Sequence, residues 1–246
     1  MPRYLLEVCY KGTKFRGSQV QANAQTVQGE LEAALATFLR KEVELTGSSR
    51  TDAGVHAKQN FFHFDADAPI DAGITYNLNA MLHQDIAINA ITEVPGQFHC
   101  RFSALSRSYE YEVYHKKNPF LSDTAWYYPY KMNFHNLQQA AEVTMGFNNF
   151  SAFSKRNTDV KTFDCTIMQS RWLQTEQGIK YCVQSNRFLR GMVRALVATM
   201  LKVGRGTITL DDYKNIIRQR DCTLADFSAP AHGLCLMKVD YGDALT

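Results

Sequence analysis

The chain has 246 residues, 45% of them hydrophobic and 21% charged, a composition that excludes disorder and leaves room for one large domain or two small ones with real cores. A net charge of +3 is too small by itself to announce a nucleic-acid partner. The opening Met1-Pro-Arg-Tyr-Leu-Leu-Glu puts Glu7 in the first apolar stretch, so neither a secretory signal nor a transmembrane helix is expected, and the protein is expected to be cytoplasmic.

The first element is a strand from Tyr4 to Tyr10, stopped by the turn residues Lys11-Gly12-Thr13. Val27, Leu31, Ala34, Leu35 and Phe38 then recur at helical spacing behind Thr26, a suitable N-cap. Glu44-Leu45-Thr46 reads as a strand entering the loop from Gly47 to His56, and Asn60 to Phe64 as the strand leaving it. The second half repeats this grammar: a strand from Arg107 to Tyr114, a helix from about Asn136 to Met145, and strands near Thr166–Leu173 and Ile179–Gln184. Tyr4-Leu-Leu-Glu-Val8 and Tyr109-Glu-Tyr-Glu-Val113 share a Y-x-x-E-V frame, a hint of duplication. A helix from about Gly191 to Val203 buries Val193, Leu196, Val197, Met200 and Leu201 on one face and ends at Gly204. The last helix begins at Thr209 with Asp212 as its capping pair, and a strand from Gly233 to Met237 closes the chain. Strands and helices that do not alternate strictly predict an α+β fold with antiparallel sheet, divided into halves 1–105 and 106–246.

Six cysteines (Cys9, Cys100, Cys165, Cys182, Cys222 and Cys235) form no C-x-x-C pair, which argues against a zinc ribbon or a disulfide scaffold; they read as buried thiols. From Gly178 to Leu210 no acidic residue occurs, while Lys180, Arg187, Arg190, Arg194, Lys202 and Arg205 all do. Such a run is either a phosphate-facing surface or a solvated face with distant counter-charges. Arg187, Arg190 and Arg194 form a basic stripe at i, i+3 and i+7 if their helix begins early.

The usual signatures of nucleotide hydrolysis, dinucleotide redox chemistry, zinc proteolysis and lipase-type catalysis are missing. One unusual loop remains. Gly47 and Gly54 bracket Ser48-Ser-Arg-Thr-Asp52, setting a short carboxylate beside a cation on a sheet scaffold. Asp52 there is either a reactive carboxylate or the side chain of an Asx-turn. His56 and His63 read as structural, since no serine or cysteine nucleophile motif accompanies them.

The loop resembles the R-T-D-x-G-V-H-A signature of the TruA-type tRNA pseudouridine synthases. The likeness continues through Tyr10–Phe15 with Gln19 and Gln21, Thr26–Leu31, Leu78–Leu82, Phe98–Ala104, Arg107–Tyr109, Phe150–Phe153, Phe188–Leu189 with Met192–Arg194, and Ala229–Pro230 with Gly233–Leu234. Nearly the whole chain is covered. The resemblance implies two α+β halves around a central basic cleft, a homodimer, and no cofactor or metal. It also implies isomerisation of uridine at positions 38 to 40 in the anticodon arm of tRNA, with Asp52 as the catalytic carboxylate. Attack at C1′, attack at C6 and removal of a sugar proton all remain open to it. The resemblance makes Arg194 the partner of Asp52 and Tyr109 the platform for the target base, although Tyr109 with Tyr111 and Val113 also fits a packed strand face. Arg50, Arg187 and Arg190 become candidate substrate contacts. Rival readings are a non-catalytic tRNA-binding protein and a synthase acting on another RNA site. The chain departs from the family at Ser18, where tryptophan is usual, at the expense of a packing or RNA contact; at His83, where proline is usual; and at Cys100, where a small residue is usual.

Overall fold

The structure, a computed structural model, describes residues 1–71, 73–156 and 160–245. The chain forms two compact units, Met1–Leu105 with Cys235–Thr246 and Ser106–Leu234.

In the first unit, β1 (Arg3–Tyr10) is followed by α1 (Val27–Leu39), β2 (Thr46–Gly47), β3 (His56–Asp65), α2 (Ile74–Met81) and β4 (Ile86–Val94). β1 lies between β3 and β4 and pairs antiparallel with both; β2 adds to β3 with Thr46 opposite His63. The spatial order β4-β1-β3-β2, with helices after the first and third strands, is the split βαβ arrangement. Thr26 caps α1 by accepting from Gly29 N–H at 3.2 Å, and Val27, Leu31, Ala34 and Leu35 are buried. Phe38, expected on that face, is exposed in the last turn, and Arg40 turns left-handed immediately after the helix. α2 and β4 were not legible from periodicity. α2 has only eight residues and buries only Ile74 and Leu78. It is fixed instead by Asn79, whose side chain accepts from Ile88 N–H at 2.8 Å and donates to Ile88 O at 2.9 Å, completing both backbone groups of a β4 residue.

The second unit contains β5 (Ser106–Tyr114), β6 (Trp126–Tyr127), α3 (Phe134–Thr144), β7 (Ile167–Gln174), β8 (Gly178–Ser185), α4 (Met192–Arg205) and α5 (Leu210–Gln219). β8 is central, antiparallel to β5 and β7. The order β5-β8-β7 repeats β1-β3-β2, first strand beside third and third beside second, so the shared Y-x-x-E-V frame falls on equivalent strands. By chain order β9 (Leu234–Asp240) closes this repeat, yet from Cys235 it belongs to the first unit, where His56 and Ala57 of β3 pair with Cys235 and Leu236. Sequence grammar counts elements, whereas compactness follows pairing; a boundary drawn at residue 105 alone therefore assigns the last strand differently.

Two expectations about α4 are corrected. It begins at Met192, behind Gly191 at φ +76°, so Arg187 and Arg190 precede the helix and form no helical stripe with Arg194. It also runs through Gly204 and is ended by Gly206, at φ +73°. Gly204 serves packing instead: a Cβ there would lie 2.7 Å from Leu137 Cγ on α3, and Leu137 is fully buried. The anticipated Thr209–Asp212 capping box is present, Thr209 N–H donating to Asp212 Oδ2 at 2.9 Å and Asp212 N–H donating to Thr209 Oγ1 at 3.1 Å.

Gly204→Ala gains about 1 kcal/mol of helix propensity but overpacks a core site, which costs about 1–3 kcal/mol. The expected net effect is a loss of about 1 kcal/mol, read as a lower urea midpoint at unchanged slope. A higher midpoint would show that α3 yields at Leu137.

Candidate active site

The loop from Ser48 to Val55 runs beside the first half of β3 and is pinned on both sides of Asp52. On the upstream side, Ser48 N–H donates to Phe61 O at 2.7 Å and Asn60 Nδ2 donates to Ser49 O at 2.9 Å. Asn60 is fully buried in β3, and its amide also donates to the Tyr10 hydroxyl at 3.1 Å. Tyr10 and Thr51 share a hydroxyl–hydroxyl hydrogen bond of 2.8 Å. Burial pushes the Tyr10 hydroxyl up to about 12, so it remains a neutral donor at physiological pH.

On the downstream side, Gly12 N–H donates to His56 Nδ1 at 3.0 Å, which puts the imidazole in a bracing role as expected. A Cβ on Gly12 would fall 2.0 Å from Val55 O, so only glycine permits this approach. Between the two anchors Val55 N–H closes a turn onto Asp52 O at 3.1 Å, with Gly54 at φ +82° in its third position. The turn is thus closed through the main chain of Asp52. Asp52 is partly exposed and Arg50 exposed, while Ser48 and Ser49 bury hydroxyls that lack hydrogen-bond partners.

Ser18 changes its meaning. Far from a lost surface contact, it is 2% exposed; its Oγ accepts from Thr51 N–H at 2.8 Å and its N–H donates to Thr51 O at 3.1 Å. The residue before Asp52 therefore has both backbone groups satisfied by Ser18. His83 similarly fills its place, Nδ1 accepting from Asp85 N–H at 3.0 Å and the ring packing edge-on to Phe15 at 5.4 Å. His63 is buried and its pKa is lowered to about 4 by burial, then by Arg3 and His99, in keeping with a structural neutral imidazole.

Tyr109, Arg187, Arg190 and Arg194 belong to the second unit. Tyr109 stands on β5 opposite Val183, 8% exposed, with Phe188 edge-on to its ring at 5.0 Å. Tyr111, two residues along on the same face, is fully buried and donates to Pro230 O at 2.8 Å. Arg194 lies in the first turn of α4, and its Nε donates to Ala229 O at 2.7 Å. A cation at a helix N-terminus opposes the helix dipole, so this one owes its place to other contacts. Its charge is felt by Tyr111, whose hydroxyl burial raises and Arg194 lowers, and by His232, held below its ordinary value by burial first and by Arg194 among its neighbours. Arg187 is half-buried and Arg190 exposed.

The acid-free stretch is less uniformly phosphate-facing than its composition implied. Lys180 pairs with Glu110 and Glu112 at 3.0 and 2.9 Å, Lys202 with Asp226 at 2.9 Å, and Arg205 lies 3.8 Å over the Tyr130 ring. Of the six cysteines, Cys100, Cys165 and Cys182 are buried, but Cys9, Cys222 and Cys235 are partly exposed, a correction to the uniform reading.

The model of one protein family, described as tRNA pseudouridine synthase, matches residues 8–103 and 140–242. The chain belongs to the tRNA pseudouridine synthase family. It is 41% identical over 247 residues to the tRNA pseudouridine synthase A of Parabacteroides distasonis, covering 100% of this chain and 98% of that protein. It is 40% identical over 242 residues to its counterpart in Bacteroides fragilis, covering 97% and 96%. With that of Porphyromonas gingivalis the identity is 39% over 247 residues, covering 98% of each. The matched stretches include the pinned loop, β3 and α4, so family membership extends to the elements that carry Asp52 and Arg194. What sequence reasoning missed is the support of the loop: Ser18, Tyr10, Asn60 and Gly12. Asn60, directly before the apolar pair Phe61-Phe62, was the available signal, since a buried amide must be satisfied by something.

Ser18→Ala removes the acceptor of a buried N–H, at a cost of about 1–3 kcal/mol, and loosens the residue next to Asp52. Steady-state kinetics should show kcat lowered about 10- to 100-fold with KM for tRNA within about twofold, and Ser18→Thr should restore much of kcat. An unchanged kcat in Ser18→Ala would make the bond purely structural.

Proposed function

We propose that the protein converts uridine to pseudouridine in the anticodon arm of tRNA, at positions 38, 39 and 40, using Asp52 as the reacting carboxylate. In this isomerisation the N1–C1′ bond breaks, the uracil turns, and C5 bonds to the same sugar carbon. The C5 proton is released as the new bond forms and N1 takes up a proton, so the composition is unchanged and no group donor or redox partner is required. The observation that carries the reading is the pinned loop: Thr51 is fixed by Ser18 and Tyr10, Val55 and His56 approach Gly12, and Asp52 lies at the short turn between these anchors. With Thr51 and Val55 held on either side, Asp52 is confined to a narrow set of positions, and preorganisation of this kind is what a positioned nucleophile needs.

In the proposed reaction Arg194 pairs with Asp52 and offsets its charge. Its Nε donates to Ala229 O, which fixes the course of the side chain from the first turn of α4. Tyr109 stacks on the extruded base, offsetting part of an unstacking cost of about a few kcal/mol. The edge-on Phe188 supports the ring in that role. Arg50, exposed beside Asp52, and Arg187 and Arg190, in the segment between β8 and α4, contact the RNA backbone or fill the gap left by the extruded nucleotide. The protein acts as a homodimer in the cytoplasm.

Attack at C1′, attack at C6 and sugar deprotonation all need an ionised carboxylate. Asp52→Asn should therefore lower turnover by about 10³-fold or more while tRNA binding stays within about threefold, measured by tritium release from uridine-labelled tRNA and by filter binding. Substantial residual turnover would sink the assignment. Mapping pseudouridine in tRNA from a deletion strain should show loss at positions 38–40; loss only in another RNA region moves the substrate, and loss nowhere removes the enzyme reading.

Tyr109→Phe should retain most of kcat/KM, because stacking depends on the ring, whereas Tyr109→Leu should lose about 10²-fold or more, stacking being worth about 1–3 kcal/mol per base and positioning adding to it. Equal behaviour of the two variants would count against a stacking role.

A further inference from the structure

Below the pinned loop, at the other end of the β2–β3 ladder, three side chains with metal-binding chemistry converge. One donor atom each from His63, His99 and Cys100 lies within 4.8 Å of the others. His63 Nδ1 is 3.1 Å from Cys100 Sγ, and the rings of His63 and His99 are 4.9 Å apart, edge to face. His63 and Cys100 are buried, while His99 is partly exposed and provides the route from solvent. The Phe102 ring covers His99 at 4.3 Å. Cys100 S–H donates to Thr46 O at 3.0 Å, and Thr46 is the residue paired with His63 across the ladder.

We propose that His63, His99 and Cys100 form a site for one Zn²⁺-type cation that braces the β2–β3 ladder carrying the catalytic loop. Thiolate and imidazole are the donors that borderline cations select, and two histidines with one cysteine leave a fourth tetrahedral position for water or the Thr46 carbonyl. With Zn–N and Zn–S bonds of about 2.0 and 2.3 Å, neighbouring N and S ligands sit about 3.5 Å apart. The observed 3.1 Å separation and 4.8 Å limit bracket that value, so ligand shifts of a fraction of an ångström to about one ångström complete the site. Arg3 stands nearby, but it is paired with Asp65 at 2.7 Å, so its charge is largely offset. The cation is structural: its ligands lie on β3 and in the segment after β4, and it has no step in the isomerisation. The inference stands apart from the proposed reaction and survives if the substrate assignment fails.

Co²⁺ serves as the spectroscopic probe. Full-length protein, dialysed against chelator and kept reduced with a non-thiol reagent, is titrated with Co²⁺ and then with Zn²⁺. The expected result is one Co²⁺ per chain with a thiolate-to-cobalt charge-transfer band in the near ultraviolet, bleached by stoichiometric Zn²⁺, and a Tm raised by Zn²⁺. The band should vanish in Cys100→Ala, and the Tm response should be lost in His99→Gln, a change at a partly exposed position that leaves the core intact. Both should persist in the triple variant Cys9→Ser, Cys222→Ser, Cys235→Ser, which removes the other accessible thiols. Absence of the band in the unsubstituted protein, its persistence in Cys100→Ala, or its dependence on the triple variant would each overturn the site and leave His63–Cys100 as an ordinary buried contact.

Discussion

The loop that carries Asp52 depends on a small buried polar cluster. Tyr10 from β1, Asn60 from β3 and Ser18 from the segment before α1 reach Ser49 and Thr51 through bonds of 2.8–3.1 Å, all with donors and acceptors matched. In a low-dielectric interior such bonds strengthen, and leaving one unmade costs more than making it gains. The cluster therefore holds the loop to a narrow set of positions. It achieves this through the neighbours of Asp52, Ser49 and Thr51. The two serine hydroxyls left unpaired, on Ser48 and Ser49, show where local satisfaction was traded away, and they lie in the same loop.

Much of the architecture was legible because it rests on periodicity and turn chemistry. Thr26 and Thr209 capped the helices they were expected to cap, and the alternation of β1, β5, β7 and β8 located those strands to within a few residues. What escaped has a physical reason in each case. α2 is too short for an amphipathic signal and is held by one asparagine reaching β4. Gly204 looked like a helix stop because glycine usually ends helices, but here contact with Leu137 decides, a constraint that exists only once α3 and α4 are packed. The last strand followed the second repeat in sequence and the first unit in pairing, since hydrogen-bond partners are not written in chain order.

The candidate residues divide along the same line. Asp52 was visible as a carboxylate between glycines, but its loop alone fitted a turn aspartate equally well; the turn is there, made through its carbonyl. Arg194 was visible as a cation in a basic run. It lies in the first turn of α4, against the helix dipole and bonded to Ala229 O, whereas Lys180 pairs with Glu110 and Glu112 and Lys202 with Asp226. Composition treated these residues alike, and only the contacts distinguish them.

Ser18 shows how a departure from a family pattern can be read too simply. A tryptophan replaced by serine looks like a lost contact if the position faces solvent or substrate. Here the hydroxyl is interior and bonds the backbone of the residue preceding Asp52, a task that an indole, which has no acceptor, cannot perform. In this chain a directional bond holds the residue next to Asp52. Because the same backbone is also held by Tyr10 through Thr51 Oγ1, the two restraints converge on Thr51 from different elements, and the direction in which Asp52 leaves the loop is set by both.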